Sequence, residues 1–423
     1  ASAAAIYGVR AANGVVLITT KKGSRNQKAK ITYGGYVGIQ KASNVLELCN
    51  AHEYATMLLE GNFDSYKTHF IQSIDKYGGS YDDPDFHNWT FGADNDWYDQ
   101  LLRTAAITNH SLNINGGSEK AVYAVGGSYL YQDGIMDVDN NYKRLNFRGS
   151  VDYDATNWLK VGFNGVFSNS TQQVPNNQAW QKAFNCPPIV ALYDEEYNDK
   201  SFPDKFGSPD AIGYTSNFYN PIATAKYFDS SKENYQVLSN FYAQIDFIPG
   251  KLNFKTNYSY SFLSTQGREF TPKYYVSSWQ QSATTQLTKN ENKYYNYIWD
   301  NTLTYNDQWG KHRFGAMAGY SMRQEQWRMF EGKASNVPDG ADEYWYIKNG
   351  DAAGATVKDD GYCYRGVSYF ARLNYNYDDK CLLMFTMRAD GSSKYQEHWG
   401  YFPSVGAAWV LSEESFLKDQ KWI

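Results

Sequence analysis

The chain of 423 residues has no run of eighteen or so apolar residues, so it has no helix able to cross a bilayer. That absence leaves membranes open, because closed β-barrels cross lipid on strands. It has no basic tail or patch and carries a net charge of -5, which argues against a nucleic-acid partner. It has no G-x-S-x-G elbow, H-E-x-x-H, phosphate-binding loop or G-x-G-x-x-G, and no cofactor is implied. Its six histidines are scattered without ligand spacing. Carboxylate pairs such as Glu195-Glu196 and Asp378-Asp379 fall in loops or turns, where solvation is their ordinary role. Cysteine is scarce: Cys49, Cys186, Cys363 and Cys381 show no C-x-x-C spacing, so no zinc site is suggested. Cys363 and Cys381 flank one expected strand and stand too far apart to bond. Cys49 and Cys186 either meet in neighbouring loops or remain free thiols.

What is present is aromatic. Tyr, Phe and Trp make up 17% of the chain, yet mean hydropathy is -0.64, a combination that suits strands greasy on one side only. The clearest case is Tyr142 to Ser170. Leu145, Phe147, Gly149, Val151 and Tyr153 alternate with Asn146, Arg148, Ser150, Asp152 and Asp154. A turn at Ala155-Thr156-Asn157 leads into Leu159, Val161 and Phe163, with Phe167 beyond. Side chains alternate across a strand, so this hairpin has one oily and one watery face.

The pattern recurs. Strands are expected at Ile31–Gln40, Asn109–Asn115, Tyr123–Tyr131, Tyr235–Phe247, Leu252–Phe262, Tyr295–Tyr305, Phe314–Met322, Val367–Tyr377, Leu382–Asp390 and Phe402–Leu411, about twelve in all with the hairpin. Asn44 to Gly61 reads as an amphipathic helix. Connections alternate between short turns (117–119, 155–157, 249–251, 307–311, 378–380) and usually long segments (41–104, 171–233, 268–292, 328–362), with shorter ones at 133–141 and 391–400. Short turns on one rim and long loops on the other mark an outer-membrane barrel. An acidic stretch at Tyr77 to Trp97 lacks EF-hand spacing and reads as a solvated loop.

Three blocks then resemble SusC/RagA-type TonB-dependent outer-membrane transporters. Ala5 to Gly23 (AIYGVRAANGVVLITTKKG) is similar to the end of that family's plug. Asp96-Trp97, Arg103-Thr104-Ala105, Gly116-Gly117 and Asp133-Gly134 form the second block, with Asn115 where Ser is usual. Arg388-Ala389-Asp390-Gly391-Ser392-Ser393, Phe402-Pro403-Ser404, Trp409 and Ser412-Glu413-Glu414-Ser415-Phe416 form the third, with departures at Tyr395 and Ala408. The resemblance implies an all-β fold: a partial transmembrane antiparallel β-barrel, about 12 of about 22 strands. Residues 1–23 would be the C-terminal end of the plug and 24–423 the N-terminal part of the barrel, an internal piece of a longer receptor. It implies TonB-dependent import of oligosaccharides or peptides, not catalysis. The implied partners are a SusD-like surface lipoprotein, TonB-ExbB-ExbD through a segment outside this chain, the cargo and membrane lipid.

Trp89, Trp97, Trp180, Trp279, Trp327 and Trp345 are expected on the long-loop rim, and of these Trp89, Trp97, Trp279, Trp327 and Trp345 are the candidates for cargo contact; Trp158, Trp299 and Trp409 are expected to face lipid. Two other classes fit less of the pattern: a soluble or surface glycan-binding β-protein, and a glycan-degrading enzyme.

Overall fold

The computed structural model describes residues 23–196, 202, 204–215 and 218–414. Ala5 to Lys22 of the plug-like motif, and with it nearly all of the expected plug segment, lie outside the described residues, as do Ser415 and Phe416.

Twelve strands form one antiparallel sheet: β1 (Gln27–Gln40), β2 (Ala105–Gly117), β3 (Ala121–Asp133), β4 (Asn141–Asp154), β5 (Leu159–Gln173), β6 (Asp229–Ile248), β7 (Leu252–Thr271), β8 (Gln286–Trp309), β9 (His312–Ser335), β10 (Thr356–Tyr377), β11 (Cys381–Ser392) and β12 (Trp399–Trp409). Each pairs with its neighbours in chain order, an up-and-down meander. Among the described residues, five α-helices lie in the long connections: α1 (Ala51–Glu60), α2 (Lys67–Tyr77), α3 (Trp97–Leu101), α4 (Gln178–Asn185) and α5 (Pro221–Lys226).

Register aligns the alternation across the sheet. One rung on the apolar face runs Phe163, Phe241, Tyr258, Trp299, Met322, Val367. The adjacent rung on the other face runs Ser150, Asn164, Asn240, Ser259, Ile298, Arg323. The apolar face is uncovered: Phe147 and Phe241 are each 52% exposed. Among the described residues the buried hydrophobic clusters instead draw chiefly on the loops and the loop-side strand ends. A soluble sandwich would invert that arrangement, burying its strand faces against a second layer.

The strands run further at the long-loop end than expected. β6 begins at Asp229, β8 at Gln286, and β9 reaches Ser335, so the connections shrink to 272–285 and 336–355. The extensions (Asp229-Ser-Ser-Lys-Glu-Asn; Gln286-Leu-Thr-Lys-Asn-Glu-Asn-Lys) are polar on both faces apart from Leu287 and show no period of two. Their pairing is set by the ladder that already runs up from the apolar part.

On the apolar face of β8, aromatic rings run from Tyr305 up to Tyr295, ten residues apart. At ~3.4 Å per residue and a tilt of ~40°, that is a height of about 26 Å. An outer-membrane barrel shows an apolar band of about 25 Å. The next residues up that face are Lys293, Glu291 and Lys289, so the extensions stand above the band.

The opposite rim is tight. β8 and β9 turn through Gly310-Lys311, where Gly310 takes φ +57°, a conformation that favours glycine. Asp378 and Asp379 both adopt φ 53°. Lys311 Nζ donates to Asp378 at 2.7 Å and Arg313 Nη1 to Asp379 at 2.9 Å, which holds this non-glycine turn.

The helix expected over 44–61 begins only at Ala51, because Asn50 caps it: Asn50 Oδ1 accepts from Glu53 N at 2.8 Å and Glu53 returns to Asn50 N at 3.0 Å. All four cysteines are free thiols. Cys186 is buried and Cys49 exposed, so the Cys49–Cys186 alternative is not realised; Cys363 lies inside β10 instead of flanking it.

Candidate functional site

The polar face of the sheet is a built surface. Asn240 Nδ2 donates to Asn257 Oδ1 at 2.9 Å and to Ser259 Oγ at 2.8 Å, while Asn164 Nδ2 donates to Asn240 Oδ1 at 3.3 Å. Tyr242 Oη donates to Asp152 at 2.8 Å, and Arg388 Nε to Asp390 at 2.6 Å. Amides, hydroxyls and ion pairs satisfy one another laterally and leave a hydrated, chemically mixed wall, suited to passage of polar solutes.

Higher on the same face, rings form a row across β8, β9 and β10. Tyr294 and Trp327 centroids are 6.5 Å apart, Trp327 and Tyr362 5.6 Å, and Tyr362 and Tyr364 4.7 Å, with Lys394 Nζ 5.2 Å from the Tyr364 ring. The Trp327 indole N–H donates to Asn292 Oδ1 at 3.1 Å. Of this row only Trp327 stood out in the sequence. Tyr294 and Tyr362 sit at period-two positions opposite it, and register alone brings them together.

The long connections 41–104 and 174–228 fold into one lobe whose core includes Phe70, Trp97, Leu101, Met136, Ile189 and Ile212. This lobe, and a separate small cluster where the 336–355 connection meets the strand ends, correct three of the five tryptophan candidates. Trp97 is fully buried with its N–H on the Pro187 carbonyl at 3.1 Å. Trp89 is buried with its N–H on the Asp83 carbonyl at 3.0 Å. Trp345 is buried, stacked on Phe270 at 3.8 Å, with the Arg268 guanidinium 4.7 Å from its ring. Their faces are spent on packing and are out of reach of a cargo. Trp180 is partly buried beside Tyr98. Trp279 is 53% exposed in the 272–285 connection, and Trp327 lines the polar face.

Trp299 and Trp409 stand exposed on the apolar face, whereas Trp158 sits in the β4–β5 turn, not on a strand. Among the described residues, no group of three or more His, Cys, Asp or Glu side chains is placed to hold a metal.

The sequence motifs turn out to be joints. Asp96 caps α3, accepting from Tyr98 N and Asp99 N at 2.9 and 3.1 Å, and so presents Trp97 to the lobe core. Arg103 donates to the Gly134 carbonyl at 3.1 Å and to Asp133 at 3.0 Å, fastening the start of β2 to the end of β3. Gly134 packs so closely on Asn140 that a Cβ would collide with it.

Tyr54 and Tyr214 pack together in this lobe. Burial raises the Tyr54 hydroxyl to about 12 and the Tyr214 hydroxyl above its usual range, the two lying 3.3 Å apart.

No protein-family profile matches the chain. It is 30% identical over its whole length to TonB-dependent receptor P3 of Formosa agariphila, covering 40% of that protein. It is 29% identical over 99% of its length to TonB-dependent receptor SusC of Bacteroides thetaiotaomicron, again covering 40%. The fold superposes on the RagAB peptide transporter with a TM-score of 0.79 and 21% identity, covering 98% of this chain and 48% of that one. An antiparallel meander with one bare apolar face, one polar face, tight turns below and folded loops above is the wall of an outer-membrane β-barrel. Within that class the chain is similar over its whole length to TonB-dependent receptors, SusC among them, which are outer-membrane proteins of Gram-negative bacteria, and it shares the RagAB transporter's fold. The chain spans about 40% of the length of the curated relatives it matches.

Proposed function

We propose that the chain forms about half of the barrel of an outer-membrane importer, with residues 1–23 closing its plug and 24–423 supplying twelve strands and their surface loops. β1 and β12 each have one edge with no strand paired to it among the described residues, and further strands of a barrel of about 22 would pair there. The imported cargo is an oligosaccharide or a peptide. It enters beneath a SusD-like lipoprotein on the long-loop rim, and TonB-ExbB-ExbD supplies the energy by acting on the plug. The relatives compared carry receptor and transporter names, which fits gated passage without bond chemistry.

The observation that carries this reading is the two-faced wall: a rung of Phe, Tyr, Trp and Val backed by a rung of Asn and Ser. Trp279 and Trp327 remain the cargo-contact candidates, Trp327 through the aromatic row on the polar face. The test is uptake of labelled oligosaccharides and oligopeptides by cells carrying the full-length receptor, with and without functional TonB. Uptake of one cargo class that needs both receptor and TonB supports the proposal; receptor-dependent uptake that persists without TonB contradicts it.

A further inference from the structure

A cavity of about 650 Å³ lies against the sheet above the apolar band, between β4 and β9. Parity fixes its side. Lys143, Thr171, Glu233, Gln266 and Glu291 share one rung, and that rung continues the face that carries Phe147, Phe241 and Trp299 lower down. The cavity therefore opens outward, not into the lumen. On β8 Glu291 stands four residues above Tyr295, where the band ends, or about 10 Å higher by strand rise and tilt. That is the depth of lipid headgroups.

Its chemistry is balanced. Tyr235 Oη donates to Glu233 at 2.6 Å and Gln266 to Glu291 at 3.3 Å. Arg268 is held between Asp229 and Asp342 at 2.8 and 2.9 Å. Lys289 lies under the Tyr346 ring at 5.0 Å, where the 336–355 connection folds down over the upper corner. Two polar atoms of the lining, Gln173 Oε1 and Arg268 Nε, are buried with no hydrogen-bond partner among the described residues. Phe330 stands half-exposed at the rim. Amides, hydroxyls and charges of both signs beside one open ring suit a hydroxyl-rich saccharide headgroup.

We propose that this groove holds the saccharide headgroup of an outer-leaflet glycolipid, whose acyl chains lie on the aromatic band directly beneath. The proposal rests on the membrane orientation given above. The test uses the full-length receptor in nanodiscs containing either lipopolysaccharide or phosphatidylglycerol, with lipids retained after mild detergent washing counted by native mass spectrometry. Gln173→Met with Gln266→Met removes two of the lining amides, and Phe330→Ala is a second, independent variant; heat-modifiable mobility reports folding.

The expected result is lipopolysaccharide retained by the parent receptor and at least tenfold less by either folded variant. Equal retention by parent and variants overturns the proposal. So does groove-dependent retention of phosphatidylglycerol to the same extent, or equally tight binding of the deacylated saccharide, which would make the groove a site for free sugar. A receptor that fails to enter the discs contradicts the barrel reading itself, whereas entry with unchanged retention contradicts the groove alone.

Discussion

At the scale of single residues, the tryptophans separate by what their rings touch. Trp97 is fully buried in the loop lobe and Trp279 is 53% exposed. Trp97→Ala is expected to cost about 3–5 kcal/mol of lobe stability, and Trp279→Ala less than ~0.5 kcal/mol. Limited proteolysis of the surface loops reads the difference: rapid cleavage for the first, parental cleavage for the second. If Trp279 touches cargo, its variant should lower uptake without altering that pattern.

The buried tyrosines give a pH signature. Tyr54 ionises at about 12 in the fold, chiefly because burial disfavours the phenolate, against 10.0 when solvated. Between those values the unfolded chain releases a proton that the folded lobe keeps, so stability is full below pH 10 and is lost as pH rises through about 12. Near-UV circular dichroism of the lobe should fade across that window. An unchanged signal to pH 12 contradicts the assignment.

At the scale of the strand, the decisive feature is which face a side chain takes. Phe241 and Asn164 sit on neighbouring paired strands and on opposite faces. Phe241→Arg places a charge near the middle of the band and is expected to cost about 2–4 kcal/mol. Asn164→Arg meets water and should fall within ~1 kcal/mol. Urea unfolding of the reconstituted receptor distinguishes the two; equal costs would contradict the assignment of faces.

This is also the scale at which the sequence was most readable. Wherever strands are half in oil, as in Leu145 to Tyr153, alternation marks element, face and partner. Above the band, Asp229 to Asn234 and Gln286 to Lys293 carry polar residues on both faces, Leu287 apart, so nothing in their order distinguishes strand from loop. The candidate site was less readable for a related reason. Trp89 and Trp97 look like any loop tryptophan until the 41–104 and 174–228 segments fold together, and Trp345 until the 336–355 connection packs on the upper ends of β7, β8 and β9. The Tyr294–Trp327–Tyr362 row depends on register between strands far apart in sequence.

At the scale of the whole molecule, two kinds of hydrophobic surface divide the labour. The loops bury theirs within their own lobe, as a soluble domain does. The sheet leaves its apolar face bare along all twelve strands, a surface far larger than a water-soluble protein tolerates. A soluble glycan-binding protein would need that face covered, and among the described residues the covering clusters lie in the loops and at the upper strand ends.

The most direct measurement is a nitroxide scan from Leu145 to Tyr153, one label per variant, in the full-length receptor with its native cysteines replaced, reconstituted in lipid. Oxygen, which concentrates in the bilayer, and a water-soluble nickel chelate serve as collision partners. The account predicts a period of two: Leu145, Phe147, Gly149, Val151 and Tyr153 reached by oxygen, and Asn146, Arg148, Ser150 and Asp152 by the chelate. Uniform access of the chelate to both sets, or exclusion of both reagents from the odd-numbered set, would contradict it.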